Sequence, residues 1–208
     1  MITLNSSPAE TTVELFTQFI MATPEHTPEM NSLDNMTVAL YRTGLSIAAL
    51  SALIYSIEQI IGVQILGIFY LPIFATGIAL ASANVHLYDP KFRWFIPFMS
   101  WLAFMILAFA YTLKNSGPTG DILANLSLGF FYVGASMFAV KESFCFRIIG
   151  LPLVPLFLCA SALSRLFGPS SAEPYFLLPA ALLLTWLVIA KWRMPLHFDI
   201  GDKSLYGL

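Results

Sequence analysis

The sequence predicts an all-α polytopic membrane protein, a bundle of six transmembrane helices with both termini on the cytoplasmic or stromal side. Composition is the first observation: the 208-residue chain is 58% hydrophobic and only 11% charged, about half the charged fraction of an ordinary soluble domain. The second is that the apolar residues form six stretches of about 20, the length that a helix needs to cross the hydrocarbon core. We therefore predict that these stretches are helices in a lipid bilayer, where a helix satisfies its own backbone polar groups.

Short polar connections separate the six predicted spans, which cover residues 38–60, 64–83, 94–112, 122–140, 148–166 and 175–190. Gly-Pro pairs at 117–118 and 168–169 follow the third and fifth spans and predict breaks there. Pro72 and Pro179 fall inside the second and sixth spans. We expect both to kink their helices, because a proline removes one backbone hydrogen bond.

The spans divide the chain into three regions. Residues 1–37 form an acidic leader with five acids and no base, residues 38–190 form the six-helix domain, and residues 191–208 form a short cytoplasmic tail. Apolar side chains at 15, 16, 19 and 20 share one face of a short amphipathic helix predicted in the leader. Secretory signals and transit peptides both require bases, so we interpret this leader as a retained segment that binds a partner.

The ten Lys and Arg residues predict the orientation. Eight lie in or beside connections on the side of the N-terminus: Arg42, Lys91, Arg93, Lys141, Arg147, Lys191, Arg193 and Lys203. The other side has Lys114 and Arg165. Short basic connections are retained in the cytoplasm, so both termini are predicted to lie on the inner side.

Glu58 and Arg165 are the charged residues predicted to lie inside the membrane, each about one helical turn from the outer boundary. An ionisable residue in a span is a candidate functional residue, and we expect these two to form an ion pair. An ion-coupled pathway would need further carboxylates across the bilayer. The second, third, fourth and sixth spans have none at mid-depth, which argues against an ion-coupled transporter.

Two histidines near the inner surface are the candidates for cofactor binding. His86 follows the second span and His197 the sixth, so the two lie at similar depth and could ligate a haem iron, or each could ligate one chlorophyll magnesium, although neither position is deeply buried. We favour interfacial histidines with local hydrogen bonds and expect no cofactor. Cys145 and Cys159 lack CxxC spacing and are expected to be reduced. The sequence shows no metal-ligand spacing, no catalytic nucleophile and no feature that indicates a nucleic-acid partner.

The inner surface is the predicted docking face for a partner protein. Its polar residues converge from three segments, and those that we assign to the face are Arg93, Lys141, Glu142, Arg147, Asp199 and Asp202. Asp199 and Asp202 are expected to pair with the bases at 91–93 and 141–147 and so to dock the tail beneath the bundle. Leu196, Phe198 and Ile200 alternate with polar residues, a pattern that predicts an extended backbone.

The same segments carry a family resemblance. Lys-Glu-Ser-Phe-Cys-Phe-Arg at 141–147 and Pro-Leu-His-Phe-Asp-Ile-Gly-Asp-Lys-Ser at 195–204 resemble the uncharacterised integral membrane protein family DUF2301 of cyanobacteria and plastids. The resemblance covers roughly residues 41–204. It implies a photosynthetic context, in a thylakoid or plasma membrane, and supplies no catalytic or binding residues.

Three functions remain open at this point. The first is a non-enzymatic accessory protein that assists assembly or stability of a larger membrane complex, and it rests partly on the lack of catalytic motifs. The second is a transporter or channel for a small solute, with Glu58 and Arg165 as its polar centre. The third is an intramembrane enzyme that uses His86, His197 and Asp199. We expect the first of the three.

Overall fold

A computed structural model describes residues 29–87, 89–113, 118–146 and 148–200 of the chain. Within these residues the chain forms six α-helices: α1 (Ser32–Ile61), α2 (Tyr70–Ala83), α3 (Pro90–Thr112), α4 (Thr119–Cys145), α5 (Val154–Phe167) and α6 (Glu173–Trp192). Short 3-10 turns occupy Gly67–Phe69, Leu151–Leu153, Ser170–Ala172 and Leu196–Asp199. The predicted all-α fold with six helices is confirmed.

Four of the helices, α1, α3, α4 and α6, are long and apolar enough to cross a membrane. The other two, α2 and α5, have 14 residues each. With the 3-10 turns before them they form apolar stretches at Gly67–Ala83 and Leu151–Phe167, at the lower limit of about 17 residues for a spanning helix. The second and fifth spans were therefore predicted to begin about three residues too early.

The six helices pack as a closed ring. Each contacts its neighbours in sequence, α6 packs against α1, and α2 also contacts α4. Aromatic side chains pack along the interior: Tyr41 meets Phe138 edge-on at 5.8 Å between ring centroids, and Phe74 meets Tyr132 at 5.6 Å. All four rings are buried, so the middle of the bundle is solid.

The first helix begins earlier than its hydropathy predicts, at Ser32. The cause is a capping box at its start: the Asn31 side chain accepts the Asp34 backbone N–H at 2.8 Å, and the Asp34 carboxylate accepts the Asn31 N–H at 2.9 Å. These bonds satisfy donors that have no partner within the helix. The end of the acidic leader is thus already helical, and residues 1–28, with their predicted amphipathic helix, lie outside the described residues.

The two prolines predicted to kink helices have different positions. Pro72 lies in the first turn of α2, because that helix begins at Tyr70. A first-turn residue has no intrahelical partner for its N–H, so the predicted kink at Pro72 is corrected. Pro179 lies inside α6, which continues through it to Trp192.

A close contact joins α1 to α2 through glycine. A Cβ atom added to Gly44 would lie 2.5 Å from the Ala81 backbone nitrogen, and one added to Gly77 would lie 2.6 Å from the Ala48 nitrogen. Both distances are shorter than a carbon atom permits, so the two backbones touch. Small residues allow such approach where lipid gives no hydrophobic drive between helices.

We predict that Gly44→Ala destabilises the protein by about 1–3 kcal/mol, the usual cost of an added methyl group in a packed core. The neighbouring atoms at this site are backbone atoms of α2, so the helices must separate. Gly129→Ala is the matched control, because a Cβ atom there meets nothing within 4 Å. Thermal unfolding in detergent measures both, and an equal midpoint for the two variants would contradict the contact.

Candidate functional site

The most polar part of the described structure is a buried cluster at the end of the bundle where α1 begins. We call it the basic-end cluster, and its members are Tyr41, Arg42, Lys141, Glu142, Lys191 and Asp199. They come from the first half of α1, the C-terminal end of α4, the last turn of α6 and the 3-10 turn that follows α6. This end corresponds to the predicted inner side.

Arg42 holds the tail against the bundle. Its Nε donates to the Asp199 carboxylate at 2.6 Å, and its Nη1 and Nη2 donate to the carbonyl oxygens of Met194 and Pro195, both at 2.8 Å. The guanidinium carbon lies 6.0 Å from the centre of the Trp192 ring. All three nitrogens are therefore used, and the chain from Met194 to Asp199 is fastened to α1.

Glu142 connects α4 to α1 and α6. One carboxylate oxygen accepts the Tyr41 hydroxyl at 2.6 Å and the Lys141 ammonium at 3.0 Å, and the other lies 3.0 Å from the Lys191 ammonium. Lys191 also pairs with Asp199, which joins the two carboxylates into one network. Lys141 and Lys191 lie 5.0 and 5.1 Å from the Tyr41 ring centre, within the range of a cation–π contact.

This network corrects the predicted docking face. Glu142 and Asp199 are only 1% and 6% exposed, and their partners are within the bundle. Asp199 does dock the tail, but it pairs with Arg42 and Lys191 and not with Arg93 or Lys141. Arg93 is exposed at the start of α3. The remaining residues assigned to the face, Arg147 and Asp202, lie outside the described residues.

The backbone of the tail is also corrected. Leu196–Asp199 is a 3-10 turn and not the extended segment that alternation predicted. Ile200 is buried and Phe198 packs against the core. The turn brings the Asp199 carboxylate to α1, which an extended chain of the same length would not do.

A second polar cluster lies at the opposite end of the bundle, around Arg165 of α5. Its Nη1 donates to both Glu173 carboxylate oxygens at 2.9 Å and to the Tyr55 hydroxyl at 3.2 Å, while its Nε donates to the Asn125 amide oxygen at 2.7 Å. The Tyr55 ring stacks on Tyr70, with 3.9 Å between centroids. Arg165 therefore ties α5 to α1, α4 and α6.

The predicted Glu58–Arg165 ion pair is corrected by these contacts. Glu58 is fully buried and accepts three backbone N–H groups, from Ile65 at 2.9 Å, Leu66 at 2.6 Å and Gly67 at 3.0 Å. A carboxylate in this position caps the turn that leads into α2. Glu173, which sequence reasoning did not consider, is the partner of Arg165.

The two candidate cofactor ligands have local contacts. His86 Nε2 lies 3.0 Å from the Thr37 hydroxyl, and the His197 ring stacks on Phe198 at 4.6 Å. Among the described residues, no group of three or more His, Cys, Asp and Glu side chains is arranged to hold a metal ion. His86 therefore connects the segment after α2 to the first turns of α1.

The basic-end cluster contains three residues that sequence reasoning did not assign to a site: Tyr41, Arg42 and Lys191. Arg42 and Lys191 were used only to predict the orientation of the helices, as bases that lie in or beside connections. A signal was present, because Arg42 lies ten positions after Ser32, well inside a helix whose start the Asn31 capping box marks. A base that far inside an apolar helix requires a partner.

The fold and these clusters define an integral, multi-pass membrane protein whose helices are joined at both ends of the bundle by ion pairs between buried or half-buried side chains. The chain belongs to the family described as uncharacterized integral membrane protein (DUF2301), which matches residues 80–208. An uncharacterized protein of Haemophilus influenzae is 34% identical over 192 residues, which cover 90% of this chain and all of the relative. No solved structure matches the chain.

We predict that Asp199→Asn lowers the free energy of unfolding by about 3–5 kcal/mol, because it leaves Arg42 without its carboxylate in a buried site. Asp121→Asn is the control, since Asp121 is exposed in the first turn of α4 and contributes less than about 1 kcal/mol there. Thermal unfolding in detergent compares them. Equal stability of the two variants would show that the basic-end cluster does not hold the bundle.

We predict that Arg165 and Glu173 are energetically coupled. Arg165→Gln and Glu173→Gln, alone and together, should give a coupling of about 0.5–3 kcal/mol in a double-mutant cycle. A second cycle with Arg165→Gln and Glu58→Gln is the control, and its coupling should be smaller because those residues share no bond. A larger coupling in the control cycle would restore the pair that the sequence predicted.

Proposed function

We propose that this protein is a non-enzymatic accessory protein of the membrane, which assists assembly or stability of a larger membrane complex by binding a transmembrane helix of a partner subunit. The observation that supports it is an exposed tryptophan, Trp101, at the centre of α3. The residues around it form a continuous aromatic face, which we call the α3 face.

The α3 face is a single row of large side chains. Its members follow the helical repeat, are 56–79% exposed, and are Trp94, Phe98, Trp101, Met105 and Phe109. Spacings of three and four residues place them on one side of the helix. Of the four long helices, α3 is the one least covered by the rest of the bundle, with 28% of its span buried against 44% for each of the others. The row therefore runs along the helix with the most surface left to bind a partner.

Trp101 indicates a protein partner more strongly than its neighbours do. It is the middle residue of Pro90–Thr112 and is 56% exposed. Tryptophan prefers the membrane–water interface, where its indole N–H finds a polar partner. Within the described residues the Trp101 indole has a ring contact with Phe104 and no acceptor, so an acceptor from another helix would remove the cost of an unsatisfied donor in lipid.

The bundle itself supports a static role. Buried ion pairs join the helices at both ends, and buried aromatic rings fill the middle. The solute transporter or channel, the alternative function, has lost its proposed polar centre, because Glu58 and Arg165 have separate partners. The enzyme alternative loses Asp199, whose carboxylate is bound by Arg42 and Lys191. Both alternatives are therefore less well supported than the accessory role.

The membrane that houses the complex is, in this proposal, a thylakoid or plasma membrane. A relative in Haemophilus influenzae favours a partner that is not restricted to photosynthetic complexes. Membrane fractionation of the source cells followed by native electrophoresis tests both points. Migration with a large complex supports the accessory role, and migration only as a free monomer or dimer contradicts it.

We predict that Trp101→Leu reduces co-purification with the large complex by at least about tenfold, the effect of losing an aromatic anchor worth about 2 kcal/mol. Trp186→Leu is the matched control, because Trp186 is similarly exposed, at 53%, on α6, between the aliphatic side chains Leu182 and Ile189. Quantitative mass spectrometry of affinity-purified samples measures the partner. A similar loss for both variants would show that the α3 face is not the binding surface.

A further inference from the structure

An apolar groove runs along the outer surface of α4, between α3 and α5. Its volume is about 710 Å³, within the range of about 300–1,000 Å³ that holds organic ligands in proteins. Aliphatic, aromatic and sulfur-containing side chains form almost all of its wall, among them Val133, Met137, Leu158 and the free thiol of Cys159. The groove is separate from the α3 face, because its α3 residues are Phe92 and Ile96.

The shape of the groove suits a long chain. Its α4 lining extends from Gly129 to Phe144, which is about 22 Å at the helical rise of 1.5 Å per residue. That exceeds the depth of one leaflet, about half of a 30 Å hydrocarbon core. Gly129 opens one end, since a Cβ atom there would meet nothing within 4 Å.

One residue of the groove lining, Lys141, is positively charged. Lys141 lines the groove and its ammonium also bonds to Glu142, so its position is fixed by the basic-end cluster. That cluster has three bases, Arg42, Lys141 and Lys191, and two acids. Among the described residues of the cluster, one positive charge therefore remains without a matching acid. Lys141, which is half-buried, is the base of the cluster that lines the groove.

We propose that the groove binds one anionic phospholipid of the surrounding bilayer. An acyl chain occupies the apolar channel from Val140 to Gly129, and the phosphate lies at Lys141, where it supplies the missing negative charge. Anionic head groups bind bases at membrane surfaces with about 1 kcal/mol per Lys or Arg. This inference goes beyond the accessory role and does not depend on the α3 face.

The test is native mass spectrometry of the full chain after reconstitution in nanodiscs that contain equal amounts of phosphatidylglycerol and phosphatidylcholine. The expected result is one retained phosphatidylglycerol per protein. Lys141→Gln should weaken retention about fivefold, which corresponds to one lost base. Lys91→Gln is the control at the same end, because Lys91 lies outside the groove lining and should leave retention unchanged.

Gly129→Leu tests the apolar channel independently of charge. The leucine side chain projects into open space, so the variant should fold with unchanged thermal stability and lose the bound lipid. This variant keeps the proposal testable if Lys141→Gln proves unstable through its contact with Glu142. Equal retention of phosphatidylcholine, or undiminished retention of phosphatidylglycerol in Gly129→Leu, would overturn the proposal.

Discussion

The burial of four charged side chains where α1, α4, α6 and the tail meet is the constraint on which the rest of the structure depends, and these side chains are Arg42, Glu142, Lys191 and Asp199. A charge in this position is tolerated only with a counter-charge and hydrogen bonds, because removing one partner leaves an unpaired ion at a cost of several kcal/mol. Glu142 has three donors and Asp199 has two cations. The helices must therefore meet in one arrangement, with α6 beside α1 and the tail folded beneath them.

The opposite end of the bundle is also held together by polar contacts, which different residues make. Arg165 bonds residues from α1, α4 and α6, and Glu58 fixes the turn before α2 through backbone N–H groups. Between the two ends, the Gly44–Gly77 contact and the packed aromatic rings leave little freedom to move. A bundle tied at both ends and solid in the middle suits a role in which its outer surface, and not a pathway through it, meets other molecules.

Hydropathy was sufficient for the fold class and for all six helices, because the membrane imposes one length and one composition on every span. It was not sufficient for helix ends. The Asn31–Asp34 capping box and the 3-10 turns before α2 and α5 depend on individual hydrogen bonds, which an average over about 20 residues hides. The pattern Asn-x-x-Asp was readable at residues 31–34 and would have placed the start of α1 correctly.

The ion pairs were less predictable, since they depend on how each helix is rotated about its axis. Glu58 and Arg165 have the right depth for a pair, yet the rotation of α1 turns the carboxylate toward its own C-terminal loop. Asp199 was expected to pair with bases in or beside connections, but its partners are Arg42 and Lys191, which lie within helices. The depth of a side chain in the membrane can be predicted from the sequence. The rotation of a helix about its axis depends on the packing of all six helices.

The basic-end cluster also determines which part of the chain forms the structural unit. The family match covers residues 80–208, which include Glu142, Lys191 and Asp199 but neither Arg42 nor Tyr41. Without α1, Asp199 would lose the guanidinium that binds it, Glu142 would lose a hydroxyl donor, and α6 would expose the face that now packs on α1. The ring closes only when α1 is present, so α1 belongs to the same folding unit as the matched region. The relative from Haemophilus influenzae, whose whole length aligns to 90% of this chain, is consistent with a unit of that size.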